Sequence, residues 1–456
     1  MKIKKVKWNN HPILGDLELD FTNPATGEPF ENVLFAGENG TGKTSILTTL
    51  SKFIGGYTIE HFEYIEYSSE GQILKAVPPS TLSNISNGFY NMIEEDGKTS
   101  EMNTGKNSSG GSHINEVIDN NPLNIRHSGC VLSKARADFQ TKAITTTTTK
   151  QLDEINKDLD DNEDFTSLKQ LIIDIESQDN SEYAKINRQA GEMPLKWDDF
   201  YVRSKIYRFK NAFNSFFDKI KYDQVVENSK EKTIQFFKNN IPVTVDSLST
   251  GEKQIVFRGA FLLKNNQKLN GSVIMVDEPE LSMHPKWQEK ILQYYKNLFV
   301  ENDGTQKVQL FFATHSEHVL KEALSNKNEN LVIVLTDNAG VIESKRIDAP
   351  SVLLTITNAE TNYLAFDIVS NDYHIELYGW LQDKESKFLV KSCDNYIKTH
   401  RLYNTALHSK PSTHNTTTYD TLSTFIRNAI HHPDPSRTFT EIELRISIEL
   451  LIELCR

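Results

Sequence analysis

Gly37-Glu38-Asn39-Gly40-Thr41-Gly42-Lys43-Thr44, entered from the apolar run Val33 to Ala36, decides how this chain is read. The eight residues match G-x-x-x-x-G-K-[ST] at every required position. At ordinary residue usage the bare pattern arises by accident in roughly one or two chains of this length per hundred. Its surroundings fit as well, because a strand precedes it and Ile46, Leu47, Leu50 and Phe53 place one apolar face on a helix that follows. In such a loop the glycines let backbone N–H groups close around phosphates, Lys43 neutralises the β and γ oxygens, and the Thr44 hydroxyl coordinates Mg²⁺. The candidate nucleotide-binding residues are Gly37, Asn39, Gly40, Thr41, Gly42, Lys43, Thr44 and Ser45, and the cofactors they imply are ATP and Mg²⁺. The plain alternative is a Gly-rich β-to-α turn with no ligand.

Upstream of the loop, Ile3, Val6 and Trp8 and then Leu17, Leu19 and Phe21 alternate with polar residues across the turn-like Asn9-Asn10-His11-Pro12, which predicts two antiparallel strands. Tyr57 to Val77 predicts further strand pairs, whereas Asn84 to Gly129, dominated by Asn, Ser, Gly and Asp, reads as loop. After a polar run from Thr145 to Thr149, helical spacing recurs in Leu152, Ile155 and Leu159, in Leu168, Leu171, Ile172 and Ile175, and in Phe209, Phe213, Phe216, Phe217 and Ile220. An α/β pattern resumes with a helix after Ser249, a strand from Ser272 to Val276, a helix from Lys286, and strands Val308–Ala313, Leu331–Leu335 and Val341–Arg346. Beyond Pro350 the apolar spacing is helical to Arg456, with no convincing strand. The expected fold is α/β, a P-loop core interrupted by a helical insertion and followed by an all-helical C-terminal region. The expected division is 1–149 and 241–349 for the two halves of the core, 150–240 for the insertion and 350–456 for the C-terminal region.

Three further motifs follow the loop. Val273-Ile274-Met275-Val276-Asp277-Glu278 is a buried-strand run ending in two carboxylates: Asp277 suits a site behind Mg²⁺, and Glu278 suits a base that orients and activates water. Acidic residues also end strands for no catalytic reason. Leu248-Ser249-Thr250-Gly251-Glu252-Lys253-Gln254 opens a helix, and Ser249 with Glu252 three residues on is a capping box, which alone explains both residue types. Its position about 26 residues before Asp277 favours the other reading, in which Ser249, Gly251 and Glu252 present a helix N-terminus to a γ-phosphate. Val308 to His315 is a strand ending in a histidine; a lone histidine there is usually incidental, but after the other three motifs in this order His315 reads as a γ-phosphate sensor.

In this order the motifs resemble those of the SMC/RecF/OLD-type ABC ATPases, over residues 1 to about 346. The resemblance implies a head-to-tail ATP sandwich in which Ser249 and Gly251 serve a second subunit's nucleotide and Leu281-Ser282-Met283-His284-Pro285 forms an interface loop. Gln140 is the candidate for a further phosphate-sensing glutamine. Residues 150–240 lack the sustained heptads of SMC coiled coils, and no Asp-x-Asp pair of an OLD nuclease follows His315. A compact ATPase of this kind with a helical tail resembles the PtuA family of Septu anti-phage systems, which implies a PtuB-like HNH nuclease as partner.

The composition bounds these readings. With 50 Lys plus Arg against 62 Asp plus Glu the net charge is −12, so nucleic-acid contact must be local or made by a partner. The separated Cys130, Cys393 and Cys455 suit a reducing cytoplasm and neither a zinc knuckle nor a disulfide framework. No apolar run is long enough to cross a membrane.

The leading expectation is an ATP-dependent sensor and scaffold of a defence complex. One alternative is a RecF-like repair ATPase that uses Arg203, Lys205, Arg208 and Lys210 as a local basic face. Another is a toxin whose Arg427 and His432, spaced as in HEPN ribonucleases, cut RNA; histidines stabilising a helix C-terminus explain the same residues. The final helix, opened by Thr440 and Glu443 and apolar around most of its circumference, predicts a subunit or effector interface.

Overall fold

The computed structural model describes residues 1–57, 59–79, 89–104, 121–135, 141–148, 165–189, 194–228, 230–264, 271–300, 304–414 and 416–456. Gln140 and the spacing Leu152, Ile155, Leu159 lie outside them. The chain divides into two compact units, Met1–Glu322 with Asn328–Lys345, and Ala323–Lys327 with Arg346–Arg456.

In the first unit a six-stranded sheet has the order β15-β14-β3-β13-β12-β8, formed by β3 (Asn32–Gly37), β8 (Cys130–Ser133), β12 (Val273–Asp277), β13 (Gln309–Ala313), β14 (Asn330–Asn338) and β15 (Val341–Arg346). Strands β14, β3, β13, β12 and β8 run parallel. Strands covered on both faces read as unbroken apolar runs, which is why Val33–Ala36, Val273–Val276 and Leu310–Ala313 were legible. A second, antiparallel sheet has the order β2-β1-β4-β5-β6-β7, from β1 (Lys2–Trp8), β2 (Glu18–Asp20), β4 (Phe62–Ser69), β5 (Gln72–Val77), β6 (Phe89–Glu94) and β7 (Thr99–Asn103). Helix α1 (Lys43–Ile54) joins the two: its Ile46, Leu47, Leu50 and Phe53 share one buried cluster with Ile3, Val6 and Trp8 and with Val33, Phe35, Met275 and Phe311. Each such side chain contributes about 1.5–3 kcal/mol on burial. Gln309, fully buried, stitches the sheets together, accepting from the Ile3 N–H at 2.7 Å and donating to the carbonyls of Ile3 and Phe30.

Strands β6 and β7 fall within the stretch read as loop. Tyr90, Met92 and Met102 point inward, but this short alternation is diluted by the surrounding turn-forming residues. The insertion also holds more than helices. Helix α2 (Phe165–Gln189) buries Leu168, Leu171, Ile172 and Ile175 as expected, and α3 (Trp197–Tyr201) and α4 (Tyr207–Phe216) follow. The apolar spacing of Phe209, Phe213, Phe216 and Phe217 then runs on to Ile220, yet Phe217 is extended and ends the helix. Ile220 instead opens β9 (Ile220–Glu227), which pairs with β10 (Lys232–Lys238) and β11 (Ile241–Thr244) in an antiparallel sheet. Glu176 of α2 pins this sheet, accepting from the Val225 N–H at 2.8 Å and from the Tyr222 hydroxyl. The basic cluster is partly engaged here: Lys205 Nζ donates to Gln178 and Lys210 Nζ to the Asp223 carbonyl.

The first unit continues with α5 (Thr250–Lys264), α6 (Pro285–Gln288), α7 (Ile291–Asn297) and α8 (Glu317–Ser325), the last running into the second unit. The second unit is built on α9 (Asn358–Phe366), α10 (Asn371–Lys384), α11 (Val390–Thr399), α12 (Thr405–His408), α13 (Leu422–His431) and α14 (Glu441–Cys455). The C-terminal region is thus helical with one addition, a hairpin of β16 (Ser409–His414) and β17 (Thr417–Thr421). Its strands are too polar to show hydrophobic alternation. Helix α14 carries the Thr440–Glu443 capping box, and its Leu444, Ile448 and Leu451 pack with Leu377, Leu381, Leu422 and Ile426. Much of the apolar circumference that predicted a subunit interface is therefore covered from within the unit.

Candidate nucleotide-binding site

The parallel sheet assembles the site. β13 lies between β3 and β12 with Ala313 paired to both Phe35 and Asp277, so the loops after the three strands emerge at one edge. Carboxyl ends of parallel strands are where open α/β sheets bind ligands.

Gly37 ends β3 at φ 132, where an added Cβ would lie 2.2 Å from the Leu335 carbonyl oxygen. Gly42 caps α1 in the left-handed region, and a Cβ there would strike Leu14 at 2.3 Å. Glu38, Asn39 and Gly40 form the exposed crest; Thr41 beside them is buried and donates to the Glu38 carbonyl at 2.9 Å. Lys43 is buried and donates to the carbonyls of Gly37 at 2.9 Å and Glu38 at 2.8 Å. Burial pushes its ammonium down to about 8, against the opposing pull of Asp277, Glu278 and Glu280. The Thr44 hydroxyl donates to Asp277 Oδ2 at 2.9 Å, and the carbonyl of half-buried Ser45 accepts the Thr49 hydroxyl at 2.9 Å. A hydroxyl and a carboxylate in contact are hard oxygen donors of the kind Mg²⁺ takes.

Glu278 turns out of β12 with φ 46, a left-handed conformation that costs a non-glycine residue of order 1 kcal/mol or more. Its N–H donates to the Ala313 carbonyl at 2.9 Å. Its carboxylate is in electrostatic reach of Lys43 and His315. The His315 N–H donates to Glu280 Oε1 at 2.7 Å. Burial, then Lys43, hold the His315 imidazole below its usual range, so it is neutral at pH 7.

The segment that opens α5 forms the capping box: Ser249 N–H donates to Glu252 Oε2 at 2.8 Å and Glu252 N–H to Ser249 Oγ at 3.5 Å. Burial works to raise the Glu252 carboxyl, but Lys238, 2.8 Å away, and the Ser249 contacts prevail and hold it low. Ser249 is exposed at the helix start, whereas Gly251 is buried: a Cβ there would meet the Ser282 carbonyl oxygen at 2.7 Å and the Trp287 ring at 3.3 Å. Gly251 therefore lets α5 approach the Leu281–Pro285 loop of the same chain, a role its position in the sequence did not reveal. Ser282 itself has φ 60.

Two features were missed. Arg258, buried on α5, donates to Ser133 Oγ, to the carbonyls of Ser133, Lys134 and Glu278 at 2.8–3.1 Å, and to the Asp277 carbonyl. It clamps the end of β12 to the end of β8. In the sequence it is one cation inside an apolar helix, with no pattern to single it out. The second is a cavity of about 420 Å³ beside Thr44, Ser45 and Thr48, walled by His11, Pro12, Ile59 and His61. The His11 and His61 rings meet edge to face at 6.1 Å, and His11 Nδ1 accepts the N–H groups of Ile13 and Leu14, which fixes the ring. In the sequence His11 and Pro12 read only as turn formers.

A phosphate-binding loop on a parallel sheet, with an aspartate on its threonine, defines a P-loop ATPase. The chain belongs to the family described as "AAA domain, putative AbiEii toxin, Type IV TA system", which matches residues 33–321. It is similar to the "Retron Vc95 probable ATPase" of Vibrio cholerae serotype O1 biovar El Tor, 26% identical over 140 residues, 28% of this chain and 25% of that protein. It is also similar to the "Retron Ec83 probable ATPase" of Escherichia coli, 33% identical over 91 residues, 18% of this chain and 16% of that protein. The chain thus spans a quarter or less of these relatives. Among solved structures, it resembles an SMC head bound to the C-terminal winged-helix domain of ScpA, with TM-score 0.40, 11% identity and coverage of 77% of this chain and 100% of that one. It also resembles the recombination mediator RecF with bound nucleotide analogue, with TM-score 0.31, 12% identity and coverage of 75% and 97%. Among the described residues no helix is long and apolar enough to cross a membrane.

Proposed function

We propose that this chain binds and slowly hydrolyses ATP as the sensor and scaffold of an anti-phage defence complex, assembling through shared ATP sites and controlling a bound nuclease. The observation that carries this reading is the Thr44–Asp277 contact beside a loop whose Gly37 and Glu38 carbonyls hold the Lys43 ammonium. The retron relatives, named as ATPases, and the toxin-system family support the defensive setting. The finer form of the proposal is a PtuA-like subunit with an HNH nuclease partner that makes the nucleic-acid contact, in the cytoplasm.

In this mechanism the amides of Asn39 to Ser45 cradle the phosphates and Lys43 supplies their cation. Thr44 and Asp277 would hold Mg²⁺, which offsets the charge that develops on the transferred phosphoryl group. Glu278, turned out at the end of β12 with its carboxylate in reach of Lys43 and His315, takes the proton of the attacking water. His315 donates to a γ-phosphate oxygen and registers its loss. The base lies in the cavity between His11 and His61, whose rings offer stacking faces. Ser249, exposed at the start of α5, serves the nucleotide of a second subunit, with Gly251 and Glu252 setting the helix that carries it.

The test is Glu278→Gln, which keeps the fold but removes the base. ATP should trap this variant as an assembly larger than the ATP-free protein; a size indifferent to ATP would refute the switch.

A further inference from the structure

The second unit brings together four cationic or imidazole side chains that ATP chemistry does not use. They come from three places: His414 at the end of β16, Arg427 midway along α13 with His432 capping its end, and Arg437 in the turn before α14. The rings of His414 and His432 stack at 4.3 Å between centroids with 20° between planes. Arg437 Nη1 lies 3.0 Å from His414 Nδ1. A guanidinium only donates, so that nitrogen accepts, and neutral His414 carries its proton on Nε2.

The surroundings compensate this charge only weakly, through the electrostatic reach of exposed Asp434 to Arg437. Among the described residues neither Arg427 nor Arg437 forms an ion pair with a carboxylate: Arg427 donates to Asn428 Oδ1 at 3.0 Å, and Arg437 turns its other nitrogen to the Thr413 carbonyl at 3.4 Å. Asp434, in the same turn as Arg437, accepts instead from the Ser436 N–H and hydroxyl at 2.8 and 2.7 Å. Asp420 is held by Lys391 and Lys398, and Glu443 by Lys410. Asn428 is buried with its Nδ2 unpartnered. Loss of water contact, then His432, Arg437 and Arg427, hold His414 below the ordinary imidazole range, and His431 beside it is lowered likewise, first by lost solvation and then by Arg427 and His432. Two guanidiniums near a stacked pair of imidazoles gather positive charge and N–H donors in one place, which suits an anion.

We propose that Arg427, Arg437, His414 and His432 form a binding site for the phosphodiester backbone of a nucleic-acid strand. A chain of net charge −12 gains little from its surface as a whole in holding such a polyanion, so a local cluster only weakly compensated by carboxylates is the place where contact is favoured. Guanidiniums match phosphate oxygens in bidentate fashion, and the exposed His432 ring adds a stacking face. The site is independent of the nucleotide reading above, because none of its residues belongs to the P-loop unit.

The test is fluorescence anisotropy of the full-length protein with labelled single-stranded oligonucleotides, RNA in one arm and DNA of the same sequence in the other, titrated with salt in the absence of ATP. Binding of either strand is expected, and the stronger arm names its source. Arg437→Ala and His432→Ala should each weaken it about five- to tenfold, and Arg437→Ala should flatten the log-affinity against log-salt slope by about 0.7, one phosphate contact on a single strand. Arg437→Lys should recover most of the loss, while melting temperature and ATP hydrolysis stay at parental values in all three variants. No binding to either strand at low salt, binding of inorganic phosphate alone, or affinities within about twofold of the parent in both alanine variants would overturn the proposal.

Discussion

Arg258 gives the sharpest structural prediction. Its guanidinium is the hydrogen-bond donor to the carbonyls of Ser133, Lys134, Asp277 and Glu278, and Ser133 and Asp277 are buried at 1% and 8% exposure. Arg258→Ala removes every one of these donors from the buried ends of β8 and β12. A stranded buried polar group costs about 1–3 kcal/mol, so the change should destabilise the first unit by about 3–5 kcal/mol. At about 1.4 °C per kcal/mol for a unit of this length, the melting transition should fall by about 5 °C. The same change frees the ends of β8 and β12, and a shift of about 1 Å at Asp277 and Glu278 lowers turnover roughly a hundredfold. Arg258→Lys, with one charged nitrogen instead of a planar fork, should fall between the two. Differential scanning calorimetry and steady-state phosphate release read both effects. A melting point within about 2 °C of the parent together with hydrolysis within about twofold would refute the clamp.

Further predictions rest on single positions. With Lys43 at about 8 and ATP phosphates restoring its charge, ATP binding at pH 8 should take up about half a proton, and affinity should fall as pH rises further; calorimetry in buffers of different ionisation enthalpy reads the uptake. Equal binding heats in all buffers would contradict it. Gly37→Ala forces a Cβ against the Leu335 carbonyl in a left-handed backbone and should abolish nucleotide binding, with a loss of stability of at least about 1–3 kcal/mol in urea titration. Replacing His11 with Ala opens one wall of the cavity and should raise the dissociation constant for ATP more than that for inorganic triphosphate, as measured by competition.

The core was legible where one strand carries both its burial and its chemistry. Val33–Ala36 leading into Gly37–Thr44, and Val273–Val276 leading into Asp277 and Glu278, are contiguous signals that need no partner to be read. Features built from distant segments were not. The sheet β9-β10-β11 pairs Ile220 with Lys238, and the aromatic spacing before it imitates a longer helix. The β16–β17 hairpin has no apolar alternation, so neither it nor the meeting of His414 with His432 shows in the sequence. Gly251 illustrates a different limit: its motif suggests a phosphate contact, while its packing against Ser282 demands glycine on steric grounds alone.

The central claim is that the ATP site is completed by a second copy of the chain, with Lys43 and Ser249 contributed from opposite subunits. Mixing two inactive variants, Lys43→Ala and Ser249→Arg, tests it directly. In random two-fold dimers half are mixed, and each of these holds one intact composite site, so hydrolysis should return to about a quarter of the parental rate. A mixture that stays as inactive as either variant alone would contradict it.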